Sequence, residues 1–152
     1  MDAIFEIDSL PSPFLVEDQV VDAVCAYLDR AGWADIRPKY SHERGNDIEA
    51  SLGDRRLFVE AKGAGSARAT SKRHGQPFER KQVYSHVGVA TVRALRWVAS
   101  GDVHAALAFP DNEDHRQEVV AMLPVLKQLN VTVFWVAADL SVSVEGASLP
   151  TL

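Results

Sequence analysis

Asp47, Glu60 and Lys62 sit in two short segments, NDIEASL and RRLFVEAKG, on either side of a Gly53-Asp54 pair. Ile48, Ala50 and Leu52 alternate with polar residues, as do Leu57, Val59 and Ala61. Period-two alternation about a glycine-containing turn predicts an antiparallel hairpin. With the turn centred on Gly53-Asp54, Asp47 falls opposite Glu60, their Cβ atoms about 5 Å apart. Lys62 lies two residues beyond Glu60 and projects from the same face. Two facing carboxylates repel. A lysine offsets part of this, and a divalent cation offsets it better. Hard cations take oxygen ligands, and Mg²⁺ uses one or two carboxylates with water and phosphate. The Ala61 carbonyl, between the two charged residues, adds an oxygen. The group is therefore a candidate Mg²⁺ site with a lysine beside it.

The elements that must position these residues follow from the apolar pattern. A helix is predicted to begin near Ser12-Pro13, a cap residue followed by a first-turn proline, and to run to about Arg30, stopping at Ala31-Gly32. Val20, Val21, Val24, Tyr27 and Leu28 form its buried stripe. Glu17 precedes Val20, Val21, Val24 and Leu28 at helical spacing and so shares their face. An acid there needs a partner, and a metal at the sheet edge would be one. Asp35 to Lys39 reads as a first strand. Gly63 to Gln76, rich in Gly, Ser, Ala and basic residues, reads as a loop. A second helix is predicted from about Phe78 to Ala99, with Val83, Val87, Ala90, Ala94 and Trp97 on one stripe. VHAALAF is a strand ended by Pro110, and a third helix covers about Asp114 to Leu129. VTVFWVAA is a continuous apolar strand of the kind buried on both faces, and SVSVEG adds a short edge strand. This predicts one α/β domain over residues 1–152: a mixed central sheet with helices on both faces, in the order αβββαβαβ.

At 152 residues, 47% hydrophobic and 24% charged, the chain has the balance of a globular domain. One cysteine, Cys25, allows no internal disulfide and fits a reducing cytoplasm. The acidic start MDAIFEIDSLPSP does not read as a signal peptide, and no apolar stretch is long enough to span a bilayer. The net charge of -5 argues against a protein that coats nucleic acid without selectivity. Yet between Lys62 and Lys81 six bases (Lys62, Arg68, Lys72, Arg73, Arg80, Lys81) face one acid, Glu79, a local +5. Phosphate contacts from such a segment give affinity without sequence information.

A helix carrying Glu, then Asp, then Glu-x-Lys on a hairpin resembles the PD-(D/E)XK, or restriction endonuclease-like, nuclease superfamily. The pieces here are VEDQVVDAVCAYLDRAGW, GNDIEASL and LFVEAKG, similar to Mrr-type endonucleases and Holliday-junction resolvases. The later AALAFPDNEDHRQEVVAMLPVLKQLNVTVFWV resembles the strand-helix-strand that completes the fold, so the likeness covers roughly residues 12 to 138. Asn46 stands where the motif's name has proline, and His86 stands where the RecB-like branch has tyrosine. The resemblance implies a restriction endonuclease-like core and a Mg²⁺-dependent deoxyribonuclease, with Mn²⁺ able to substitute. Asp47, Glu60 and the Ala61 carbonyl would hold the metal, Glu17 would assist, and Lys62 would position the attacking water. Gln82 would orient the lysine or a phosphate. DNA is the implied partner, met by Arg68, Lys72, Arg73, Arg80 and Lys81, and cutting both strands would favour a twofold homodimer. The alternative is a nuclease-fold module that has lost catalysis and only binds nucleic acid or a protein.

Other polar residues read as structural. Glu49 shares a face with Asp47 but reads as a solvated or supporting carboxylate. His42, His74, His86, His104 and His115 show no zinc-ligand spacing. Cys25 reads as a small core residue.

Overall fold

The computed structural model describes residues 14–40, 43–66 and 76–152. Helix α1, Glu17–Arg30, buries Val20, Val21, Ala23, Val24 and Leu28, the three-to-four spacing of an amphipathic helix. Its first turn carries Glu17 and Asp18, acids suited to the positive helix end. The helix begins at Glu17, later than the expected start near Ser12-Pro13, two residues outside the described part. Leu15 and Val16 are held extended instead: the Leu15 carbonyl accepts the Ala64 amide at 2.7 Å, and Val16 bridges Gly65 in parallel. Gln19 Oε1 then accepts the Val16 amide at 2.9 Å and caps the helix. The other end falls at Arg30, where Gly32 takes φ +91°, a conformation that suits glycine.

Strands β1 (Ala34–Pro38), β2 (Ile48–Leu52) and β3 (Arg55–Ala61) form an antiparallel meander. The β2–β3 ladder runs from Leu52 opposite Arg55 to Ile48 opposite Val59. The two residues between the strands are Gly53, at φ +63°, and Asp54. One further step of this register sets Asp47 opposite Glu60.

Helix α2 (Arg80–Ser100) returns the chain to β4 (His104–Pro110), which pairs in parallel with β3. Helices α3 (Glu113–Val119) and α4 (Leu123–Gln128) lead to β5 (Val131–Val136), parallel to β4. The expected single helix from Asp114 to Leu129 is divided by a 3₁₀ turn at Val120–Met122. Pro124 sits in the first turn of α4. Proline has no amide hydrogen for the preceding turn and its ring clashes there, so the helix must restart. Strand β6 (Val142–Gly146) closes the edge, antiparallel to β5.

The sheet is mixed, with its six strands side by side in chain order. Every residue of β4 and β5 is buried, as their unbroken apolar runs require. Helix α1 covers one face, packing on Ile48, Ala50, Leu57, Val59, Ala106, Ala108 and Phe134. Helix α2, with Val119 of α3 and Leu126 of α4, covers the other, packing on Ala105, Leu107, Phe109, Val133 and Trp135. The predicted α/β class, mixed sheet and two-sided helix cover are the observed architecture. Among the described residues no helix is long and apolar enough to cross a membrane.

Candidate active site at the end of β3

Alternation along β3 divides its side chains. Leu57, Val59 and Ala61 enter the core beneath α1. Phe58 and Glu60 face α2, where Phe58 meets the Trp97 ring edge-on at 5.6 Å and Glu60 meets Arg93. Glu60 is only 1% exposed.

The β2–β3 ladder ends at Ile48, so the Ala61 amide reaches past the last backbone partner. Asp47 Oδ2 accepts that hydrogen at 2.8 Å. An extended residue turns its N–H and C=O to the same side, so the Ala61 carbonyl opens toward Asp47 as well. On the other side the Asp47 carbonyl accepts the Lys39 amide at 2.7 Å, which fixes the Asp47 backbone from β1.

Burial pushes the Glu60 carboxyl up to about 8, helped by a hydrogen bond with Asp47 and by its charge, while Lys62 and Arg93 pull it down. Removing water from a carboxylate and placing another beside it both favour the protonated form. Desolvation and Asp47 outweigh the two cations, so the net direction is upward. Arg93 Nε stands 3.2 Å from Glu60 Oε2, yet Oε2 is buried without a hydrogen-bond partner: the contact is an ion pair lacking hydrogen-bond geometry. Arg93 Nη2 also lies 3.5 Å from Asn46 Oδ1, and its guanidinium stands 6.0 Å from the Trp97 ring. Sequence reasoning missed Arg93. Its one trace there is that it flanks the Ala90–Ala94 stripe.

Lys62 follows β3 and donates its amide to the Ala108 carbonyl at 3.0 Å. Its ammonium charge acts on Glu60 and, behind burial, helps hold the His86 imidazole below its usual range. His86 meets the Phe78 ring edge-on at 4.5 Å.

Glu17 arrives from the opposite side of the sheet, at the first position of α1, and is half-buried. Gly63, next after Lys62, admits it. A Cβ on Gly63 would overlap the Glu17 backbone nitrogen and stand 2.8 Å from the Val16 carbonyl carbon. The α1 N-terminus thus rests directly on the end of β3. Among the described residues no three His, Cys, Asp or Glu side chains converge as a metal cage; Asp47 and Glu60 converge as a pair.

Gln82 is engaged locally: its Oε1 accepts the Glu79 amide at 2.9 Å and caps α2. Arg68, Lys72 and Arg73 lie outside the described residues. In the described chain before and after them, Gly65 bridges Pro77 and the Phe78 amide reaches the Ala64 carbonyl at 2.7 Å. Arg80 stands 3.8 Å from Asp114, both well exposed, a pair of little energetic weight. Lys81 is exposed.

Glu49 pairs with Arg56 at 3.7 Å across the hairpin. His104 Nε2 donates to the Thr132 hydroxyl at 2.7 Å, since that hydroxyl's own hydrogen goes to the Ala147 carbonyl. His115 is buried, its Nδ1 2.8 Å from Asn112 Oδ1. These match their reading as structural residues.

The donor set fits Mg²⁺. It offers two carboxylates and a carbonyl, all hard oxygens, and one carboxylate oxygen, Glu60 Oε2, is buried with no hydrogen-bond donor. The chain matches no protein-family model, no curated protein and no solved structure.

Proposed function

We propose that this chain is a Mg²⁺-dependent endonuclease of the PD-(D/E)XK type, acting on DNA. The observation that carries the reading is the Asp47–Glu60 pair. The hairpin brings two carboxylates together at the end of the sheet, with the Ala61 carbonyl and Lys62 alongside.

Asp47, Glu60 and the Ala61 carbonyl would hold the ion, with Glu17 close to its approach from α1. When bound, the ion supplies Lewis-acid polarisation of the phosphodiester and a more acidic water. Lys62 holds the attacking water and meets negative charge as it develops on the phosphate. The basic segment from Arg68 to Lys81 carries the DNA backbone toward this end of the sheet, which suits contacts that position rather than specify. Two copies related by a twofold axis would cut both strands.

One observation favours a second reading. Arg93 Nε already stands 3.2 Å from Glu60 Oε2, so the fold gives the carboxylate pair a cation of its own, as a module that binds DNA and does not cut it would. A cleavage panel separates the two: single-stranded, duplex, flap and four-way-junction DNA with Mg²⁺, with Mn²⁺, and with EDTA, for wild type and Lys62→Ala. Metal-dependent cleavage that disappears in Lys62→Ala is expected. DNA binding without cleavage of any substrate in either metal would support the binding module.

A further inference from the structure

A cation of the protein itself stands against the buried oxygen of Glu60. Arg93 Nε is 3.2 Å from Glu60 Oε2. The hold is incomplete in three respects. The contact lacks hydrogen-bond geometry, so Oε2 has no donor. The second tether, to Asn46 Oδ1, is long at 3.5 Å. The Arg93 side chain is 41% exposed while that of Glu60 is 2% exposed, so the arginine has solvent to move into and the carboxylate does not. Asp47 and Glu60 stand beside two cations, Lys62 and Arg93. A divalent ion added to them overcompensates the charge unless one cation leaves, and Arg93, with solvent beside its side chain and no hydrogen-bond geometry to hold it, can do so.

We propose that Arg93 is a displaceable internal counter-ion, competing with the divalent metal for Glu60 and releasing it when the metal binds. The proposal rests on the metal-site reading above. Arg93 thereby sets the metal concentration at which the site fills and becomes a free cation when it does.

The test is calorimetric titration of the full chain with Mn²⁺ at pH 8 without DNA, for wild type and Arg93→Met, which keeps a stem beside Trp97 and removes the charge. Like charges a few ångströms apart near a protein surface repel strongly enough for the variant to bind Mn²⁺ about tenfold tighter or more. A variant that binds Mn²⁺ where wild type does not would support the same conclusion. Equal or weaker binding than a wild type that does bind would overturn the proposal alone, making Arg93 a brace for Glu60. Failure of both proteins to bind at millimolar Mn²⁺ would overturn the metal-site reading and this proposal with it. Should Arg93→Met not fold, the wild-type chain still decides. Its Arg93 Nε–H NMR signal, assigned by its loss in Arg93→Lys, should shift on saturation with Mg²⁺, and a signal that stays in place overturns displacement.

Discussion

Asp47 Oδ2 accepts the amide hydrogen of Ala61 at 2.8 Å, so a side-chain oxygen ends the β2–β3 ladder where a backbone carbonyl would otherwise stand. Asp47 is therefore both a structural acceptor and half of a repelling pair, and two substitutions separate these roles. Asp47→Asn keeps an acceptor and removes the charge. Asp47→Ala removes both and leaves the Ala61 N–H without its partner, at a cost of about 1–3 kcal/mol. In EDTA the asparagine variant should be at least as stable as wild type, and the alanine variant less stable than it by that amount. Both should lose Mg²⁺-dependent cleavage. Equal stability of the two variants would show that the hydrogen bond contributes nothing, and cleavage by Asp47→Asn at the wild-type rate would remove Asp47 from the site.

Glu60 predicts a pH dependence in the absence of metal. Its folded carboxyl, raised to about 8 by burial and Asp47, keeps a proton that the unfolded chain gives up in the ordinary carboxylate range. The resulting stability is present in full below about pH 4.5. It declines as pH rises and is lost once pH passes the folded value. His115, held down to about 4 chiefly by burial, and His86 and His104, also held below their usual range by burial, act in the opposite sense, and their effect is complete only above about pH 6.5. Urea unfolding in EDTA between pH 6.5 and 8.5, read as the difference between wild type and Glu60→Gln, isolates Glu60, because the histidines act alike in both chains. Wild type should lose about 2 kcal/mol over this window, and Glu60→Gln should lose little. Parallel profiles would mean that Glu60 is already ionised throughout.

Gly63 is the point at which α1 meets the end of β3. A Cβ there would overlap backbone atoms of Val16 and Glu17, and backbone cannot rotate aside. Gly63→Ala should cost about 1–3 kcal/mol. It should also lower cleavage further than that loss of stability explains, because it moves Glu17 away. Glu17→Gln should lower cleavage strongly while leaving the unfolding temperature in EDTA near that of wild type. A Gly63→Ala chain that unfolds like wild type would show that α1 shifts freely, and full activity in Glu17→Gln would place Glu17 outside the chemistry.

The basic segment should carry DNA affinity. Replacing Arg68, Lys72 and Arg73 together by alanine should weaken binding to unrelated duplexes about equally. It should also reduce the slope of log affinity against log salt by up to about 3, near one for each phosphate that is no longer neutralised. Fluorescence anisotropy over a salt series reads both quantities. An unchanged slope would show that the segment only connects β3 to α2.

The sequence by itself determined whatever depends on neighbours along the chain. Alternation at Ile48–Leu52 and Leu57–Ala61 about Gly53-Asp54 specified both the hairpin and its register, and with them the pairing of Asp47 with Glu60, because a period of two leaves no freedom once the turn is placed. The apolar runs of β4 and β5 and the stripes of α1 and α2 were legible for the same reason. Of two differences from the expected helices, one was local and the other was not. Pro124 marks the break between α3 and α4 in the sequence itself, and the Val16–Gln19 cap marks the start of α1 only once Leu15 and Val16 are known to pair with Ala64 and Gly65. The tertiary structure alone decided which groups from distant segments meet. Packing of α2 on the face that holds Glu60 brought Arg93 to it, and packing of α1 on the other face set Glu17 against Gly63. Such meetings depend on which face of the sheet each helix covers, and helical periodicity states only that a helix has a buried side, not what lies beneath it.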